Sequence, residues 1–287
     1  MEQLVKVPVA DLQAKHGNFF HRTLSSTLST ELAERTFAQI IDGLPTRDDI
    51  GYSPIYSDEI ANNATPSSEA MKAAKELREF CKIHYTQIDA KASSSYPGIP
   101  VACHDIAALV HDKTKPGFRR QGQSPYTILA ALEGRPTDFM HEDYTAWQQY
   151  PQGISDMVGY WAEYHLFGGV VLFDRGESGV ECKRALLHPV GRSRIFQLTE
   201  SQILQFSKYV KQFADSPDGA NIPTPFPFQA EKYAYRVDPF DSMSLNIFRN
   251  KYERIIPQDR QARCVQRLAD FPDLADVLVQ INNQESS

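Results

Sequence analysis

Residues 157–166 read Met-Val-Gly-Tyr-Trp-Ala-Glu-Tyr-His-Leu. In an extended chain, alternate side chains share a face. That places Trp161, Glu163 and His165 on one side, with carboxylate and imidazole about 7 Å apart. Inside a pocket, this spacing suits general acid–base work on one small substrate. Apolar surroundings raise the carboxyl pKa and lower that of the imidazole, moving both toward neutrality. We therefore expect Glu163 and His165 as the catalytic pair, in a pocket shaped by Trp161 and neighbouring aromatics, Tyr160 among them. Asp174 and Arg175 follow the next apolar run directly. They read either as an Arg held by its neighbour to bind a substrate anion, or as turn residues joined by a salt bridge.

His141-Glu-Asp143 is the second pattern, with His188 downstream. A His-x-Asp pair followed by a distant His is the ligand order of non-haem iron oxygenases. Two imidazoles and one carboxylate leave coordination positions open for oxygen and a cosubstrate. Arg192 or Arg194 would hold the carboxylate of 2-oxoglutarate. The separation from Asp143 to His188 is short for a jelly roll, which places many strands between its ligands. Fe(II) with 2-oxoglutarate is thus the alternative, and a cofactor-free reaction the leading expectation.

Further clusters read more plainly. His104-Asp105 and His111-Asp112 recur seven residues apart, so a helix puts both histidines on one face. Metal sites favour the i,i+4 spacing of HExxH, so solvated helix residues are the expectation. Arg249, Lys251 and Arg254 interleave with Phe248 and Tyr252. Such a mix can hold a phosphate or a base, or form a helix with one apolar and one basic face. Neither a nucleotide-binding glycine loop nor a GxSxG elbow occurs.

The elements that must position these groups are legible in outline. Ser29 precedes a helical pattern through Leu32, Thr36 and Ile40, stopped by Gly43. Thr65-Pro66 opens a second helix with Met71, Ala74, Leu77 and Cys81 on its face. A short helix follows over about 105–110, and Ser124-Pro125 starts another. Residues 157–166 read as a strand. The unbroken apolar run 168–173 reads as a strand buried on both faces. Further strands fall at 182–188 and 194–198. Thr199-Glu-Ser-Gln202 is a capping box opening a helix with Ile203, Phe206, Val210 and Phe213. A last helix carries Leu274, Val277, Leu278 and Ile281. The fold class is α+β, one domain over 1–287. A mainly helical part to residue 150 precedes a mixed or mostly antiparallel central sheet over about 155–200, flanked by helices from both ends.

Net charge is −6 and the hydrophobic fraction 41%. An acidic chain lacks the broad positive field that nucleic acid draws on, so no nucleic-acid partner is expected. No run approaches the ~18 apolar residues of a membrane span, and the first residues do not read as a signal peptide. Cys81, Cys103, Cys182 and Cys264 lie in no CxxC pair and read as reduced thiols of a cytoplasmic protein. The expected partner is a small-molecule substrate, with oligomeric state open.

Three blocks carry a family resemblance: Tyr150-Pro-Gln-Gly153, Asp156-Met-Val-Gly-Tyr-Trp-Ala-Glu163 and Phe167-Gly-Gly-Val-Val-Leu-Phe-Asp-Arg-Gly176. With Arg236-Val-Asp-Pro239 and Ile247-Phe-Arg249, they resemble a group of filamentous-fungal proteins over roughly the second half of the chain. The resemblance implies a fungal origin and a role in specialised metabolism. It transfers no catalytic residue. The expected activity is that of an acid–base cyclase, isomerase or hydratase. A non-catalytic small-molecule carrier or partner protein is the reading from a different class.

Overall fold

The structure is a computed structural model. It describes residues 6–8, 14–49, 58–84, 87–89, 98–120, 136–191, 194–215, 222–259, 272–274 and 276–277. The expected helix at Ser124-Pro125 lies outside the described residues, as do Leu278 and Ile281 of the last one.

The first helices are α1 (Ala14–Leu28), α2 (Glu31–Asp42), α3 (Asp58–Ala61), α4 (Ser68–His84) and α5 (Gly98–Thr114). The cap of α2 falls one residue beyond Ser29. Thr30 Oγ1 accepts from Ala33 N at 3.1 Å, and Gly43 closes the helix in the left-handed conformation. Ser67 caps the first turn of α4, accepting from Ala70 N at 3.2 Å. The expected short helix at 105–110 is the middle of the longer α5, whose start lies just past a run of turn-forming residues. A two-stranded antiparallel sheet joins β1 (Lys6–Pro8) to β2 (Gln87–Asp89).

Residues 157–166 are not a strand. They belong to α6 (Ile154–Phe167), with Gly168 at φ +85° as its left-handed cap. The reason is burial. Residues 155–163, 166 and 167 are all buried, so the helix is apolar nearly all round and shows no 3.6-residue stripe. Its aromatic content then imitates strand preference. Gly159 lets α5 come close: a Cβ there would sit 2.7 Å from the His104 ring.

Of the apolar run 168–173, Val170–Phe173 form a strand buried throughout, β3, while Gly168 caps α6 and Gly169 precedes the strand. It opens an antiparallel sheet with β4 (Ala185–His188), β5 (Ile195–Gln197) and β6 (Arg236–Val237) as successive neighbours. Val170 pairs with His188 and Phe173 with Ala185. One sheet face, with Val171, Phe173, Leu187 and Phe196, joins the helical core. The other, with Val170, Leu172, Leu186 and Ile195, packs on Tyr144, Tyr150, Met157 and Tyr160. The capping box holds: Thr199 N donates to Gln202 Oε1 and Gln202 N to Thr199 Oγ1, at 3.1 and 3.2 Å. These bonds open α7 (Glu200–Asp215), and Asp238 caps the short α8 (Pro239–Ser242). The architecture is α+β, with helices against an antiparallel sheet. Among the described residues, no helix is long and apolar enough to cross a membrane.

The α6–β3 turn is a tight joint. A Cβ on Gly168 would lie 2.2 Å from the Phe228 carbonyl oxygen, and Phe228 N donates to Phe167 O at 3.0 Å. Gly168→Ala combines left-handed strain with this clash, so we expect a loss of at least about 2 kcal/mol in urea unfolding. An unchanged midpoint would contradict the close approach.

Candidate functional site

On a helix, Glu163 and His165 stand about 200° apart. The expected acid–base pair therefore separates, and each residue enters a different polar cluster.

Glu163 lies at the centre of the first cluster, fully buried. Its Oε2 accepts from the β3 backbone at Val171 N, 3.1 Å. Its Oε1 pairs with the Arg249 guanidinium and lies 3.0 Å from His104 Nδ1. The other His104 nitrogen, Nε2, is 3.2 Å from Asp156 Oδ1. Two carboxylates thus face two cations in the interior. Burial opposes ionisation of Glu163, but Arg249 and His104 outweigh it and hold its carboxyl below the ordinary value. For His104, burial and Arg249 push the imidazole pKa down, and Asp156 and Glu163 more than restore it, leaving it raised. When doubly protonated, the ring donates to both acids; Arg249 Nη2 also lies 3.2 Å from its Nδ1. A carboxylate so fully engaged is a poor base, so Glu163 acts as a structural ion.

Arg249 is delivered by a bracing set that sequence reading missed. The expected helix over 247–254 is not formed; the segment bridges to Asp174 at Ile247 and then turns. Arg175 points at main-chain oxygens rather than at an anion site. It donates from Nε to Phe248 O at 3.1 Å and from Nη2 to Arg249 O at 2.7 Å. Asp174 accepts from Gly176 N at 3.0 Å and faces Arg184 Nε at 3.6 Å. Glu253 accepts from the backbone N–H groups of Arg249 and Asn250. The Arg249 guanidinium lies over the Tyr160 ring at 4.8 Å. Tyr160 is also stacked on Tyr144, centroids 4.5 Å apart, so it is packing for this cluster.

The second cluster unites His141, Asp143 and His188. Asp143 Oδ2 is 3.2 Å from His188 Nε2, and Tyr144 Oη is 3.1 Å from His188 Nδ1. His141 donates from Nε2 to His188 O at 3.1 Å and accepts at Nδ1 from Asp143 N at 3.2 Å. These nitrogens face protein partners rather than a common point. Among the described residues, no group of three or more His, Cys, Asp or Glu is arranged to hold a metal ion. Burial, aided by His188, pushes His141 down to about 4. Burial would raise Asp143, but His188 holds it below the carboxylate range. Of the two arginines expected beyond His188, Arg192 lies outside the described residues. Arg194 Nη1 sits 3.7 Å from Asp238.

His165 occupies the third cluster. Trp161 and His165 are one turn apart on α6, and their rings lie 4.3 Å apart. Phe139 meets the far side of Trp161, and Tyr164 the edge of His165. His165 Nδ1 faces Asp49 Oδ1 at 3.7 Å. Asp49 is itself fixed: its Oδ2 accepts from Arg35 Nε, Gln39 Nε2 and Thr46 Oγ1 at 3.1, 2.8 and 2.7 Å. Trp161 Nε1 donates to Asp49 O at 3.4 Å. Burial lowers the His165 pKa to about 4 against the opposing pull of Asp49, so the ring is neutral near pH 7. Its Nε2 is buried and has no hydrogen-bond partner among the described residues. Asp49 carried no signal in the sequence, because it lies in a loop more than a hundred residues from α6.

Breaking the first cluster is expected to be costly. Arg249→Leu removes the guanidinium partner of buried Glu163 and leaves only His104 and the Val171 N–H against its charge, so urea unfolding should show a loss of about 3–5 kcal/mol. The pH dependence follows from the raised His104. Its contribution is full below the ordinary 6.5 of a histidine and is lost as pH rises through the higher folded value. The stability gap between wild type and His104→Gln should therefore shrink as pH rises above the ordinary histidine value of 6.5. A gap that widens would reverse the charge assignment. No family model, curated protein or solved structure matches the chain.

Proposed function

We propose that this protein is a cytoplasmic small-molecule enzyme of fungal specialised metabolism, an acid–base cyclase, isomerase or hydratase that needs no cofactor. His165 is its base. One observation carries the reading: the buried, unpartnered Nε2 of a neutral imidazole whose other nitrogen faces an immobilised carboxylate. A buried polar atom without a partner demands an explanation, and a substrate hydroxyl or acidic C–H supplies one. Asp49 orients the ring and stabilises the imidazolium formed when Nε2 takes a proton. This is the orienting role of the carboxylate in any base–carboxylate pair. Trp161 and Tyr164 give the substrate an aromatic wall. Glu163 supports the reading only indirectly, by fixing α6.

The test is untargeted mass spectrometry of a filamentous-fungal metabolite extract incubated with wild type, His165→Ala or Asp49→Asn. Wild type should convert a compound to one of equal mass, or one differing by water. Each variant should lose about 100-fold or more in rate. Because the neutral ring is the active form, the rate should stay flat as pH falls from 7 and drop only near pH 4. Equal conversion by His165→Ala defeats the proposal. A compound retained unchanged by wild type points instead to a carrier.

The meeting of His141, Asp143 and His188 favours a second reading, the Fe(II) and 2-oxoglutarate oxygenase. It requires both rings to exchange their present partners for metal. Metal analysis of anaerobically purified wild type and His141→Ala decides it, since the variant should lose the iron.

A further inference from the structure

Where α5 meets the start of α6, His111 Nδ1 lies 3.0 Å from Ser155 Oγ. This contact is separate from the His165 site, and neither reading depends on the other. We propose that Ser155 is a nucleophile activated by His111, taking an acyl or phosphonyl group from donors with good leaving groups. A hydroxyl in hydrogen-bond reach of an imidazole is the pairing that nucleophilic serines need.

Three features of the structure fit this assignment. The two histidines of α5 share one helix face, as their spacing of seven requires. They meet consecutive residues of α6: His104 faces Asp156, and His111 faces Ser155. The imidazole is neutral near pH 7. Burial, then Lys115, pushes its pKa down to about 4, and Asp112 opposes them. In the Nε2–H tautomer, Nδ1 accepts the serine proton. The charged group beside Ser155 on α6 is Asp156, which is committed to His104 and to the Gln152 backbone N–H. Asp156 therefore fixes the turn carrying Ser155 without competing for His111. Ser155 is buried, but it follows in the chain on exposed Pro151 and Gln152 and half-buried Gly153 and Ile154.

The same geometry sets the donor class. Two first-turn N–H groups are in use: Ser155 N donates to Gln152 O and Asp156 N to Gly153 O, both at 3.2 Å. Neither the Ser155 nor the Asp156 N–H is left to receive an oxyanion. Losing one such donor slows acyl transfer by about 10²–10³-fold. Activated esters and fluorophosphonates fit the pair; amides do not. With a fluorophosphonate, a bond forms from Ser155 Oγ to phosphorus. The P–F bond breaks, fluoride leaves with the electron pair, and the serine proton passes to His111 Nδ1.

The experiment is incubation of the full chain with an alkyl fluorophosphonate, followed by intact-mass and peptide-mapping mass spectrometry. Wild type should gain one phosphonyl group, mapped to Ser155, and Ser155→Ala none. His111→Gln should label about 100-fold more slowly. Wild-type labelling should be flat near neutral pH and fall away toward pH 4, a readout that needs no variant. No adduct on Ser155 in wild type overturns the proposal, as does an adduct that persists in Ser155→Ala. A wild-type rate that does not fall below about pH 5 removes His111 as the base.

Discussion

A single buried carboxylate ties the structure together. Val171 donates its backbone N–H to Glu163 on the preceding helix rather than to a strand. The other oxygen of Glu163 holds Arg249 from the far end of the chain and His104 from α5. A carboxylate in this position would be too costly to ionise alone. Two cations and a peptide N–H compensate it, and Asp156 balances the second cation. Helix α6, strand β3, helix α5 and the 246–254 segment are thereby fixed to one point.

This constraint explains the bracing around it. Arg249 can serve only if its backbone stays in place, and Arg175 and Glu253 hold that backbone from two sides. Gly159 has no side chain because the His104 ring occupies that volume. The Tyr144–Tyr160 stack carries the packing on toward His141 and His188. Replacing one member leaves charge or ring unmatched in the interior, which costs more than the contact itself.

With α6 fixed, its remaining faces present chemistry elsewhere. One turn shows Trp161 and His165 to Asp49, and the helix start shows Ser155 to His111. The two pairs share a design: a histidine made neutral by burial, beside a group that directs one of its nitrogens. They differ in partner. Asp49 can stabilise a proton gained by His165, whereas Ser155 can only give a proton to His111. The proposed proton abstraction therefore fits the first, and the proposed group transfer the second.

The sequence by itself determined the α+β class, the helix caps near Ser29 and at Thr199–Gln202, and a buried strand within the apolar run 168–173. Those features rest on local chemistry: a capping side chain, a left-handed glycine, a run of apolar residues. It also brought His165 and Trp161 into view, and the shared face of His104 and His111. Only the tertiary structure decided that residues 157–166 are helical, because a helix buried on every side shows no period of its own. That one change separated Glu163 from His165, kept Trp161 beside His165, and turned the presumed acid into an internal ion. Arg249, Asp156 and Asp49 could not be paired in advance. Asp156 is 52 residues from His104, Arg249 is 86 from Glu163 and Asp49 is 112 from Trp161, and only packing brings such groups to one point.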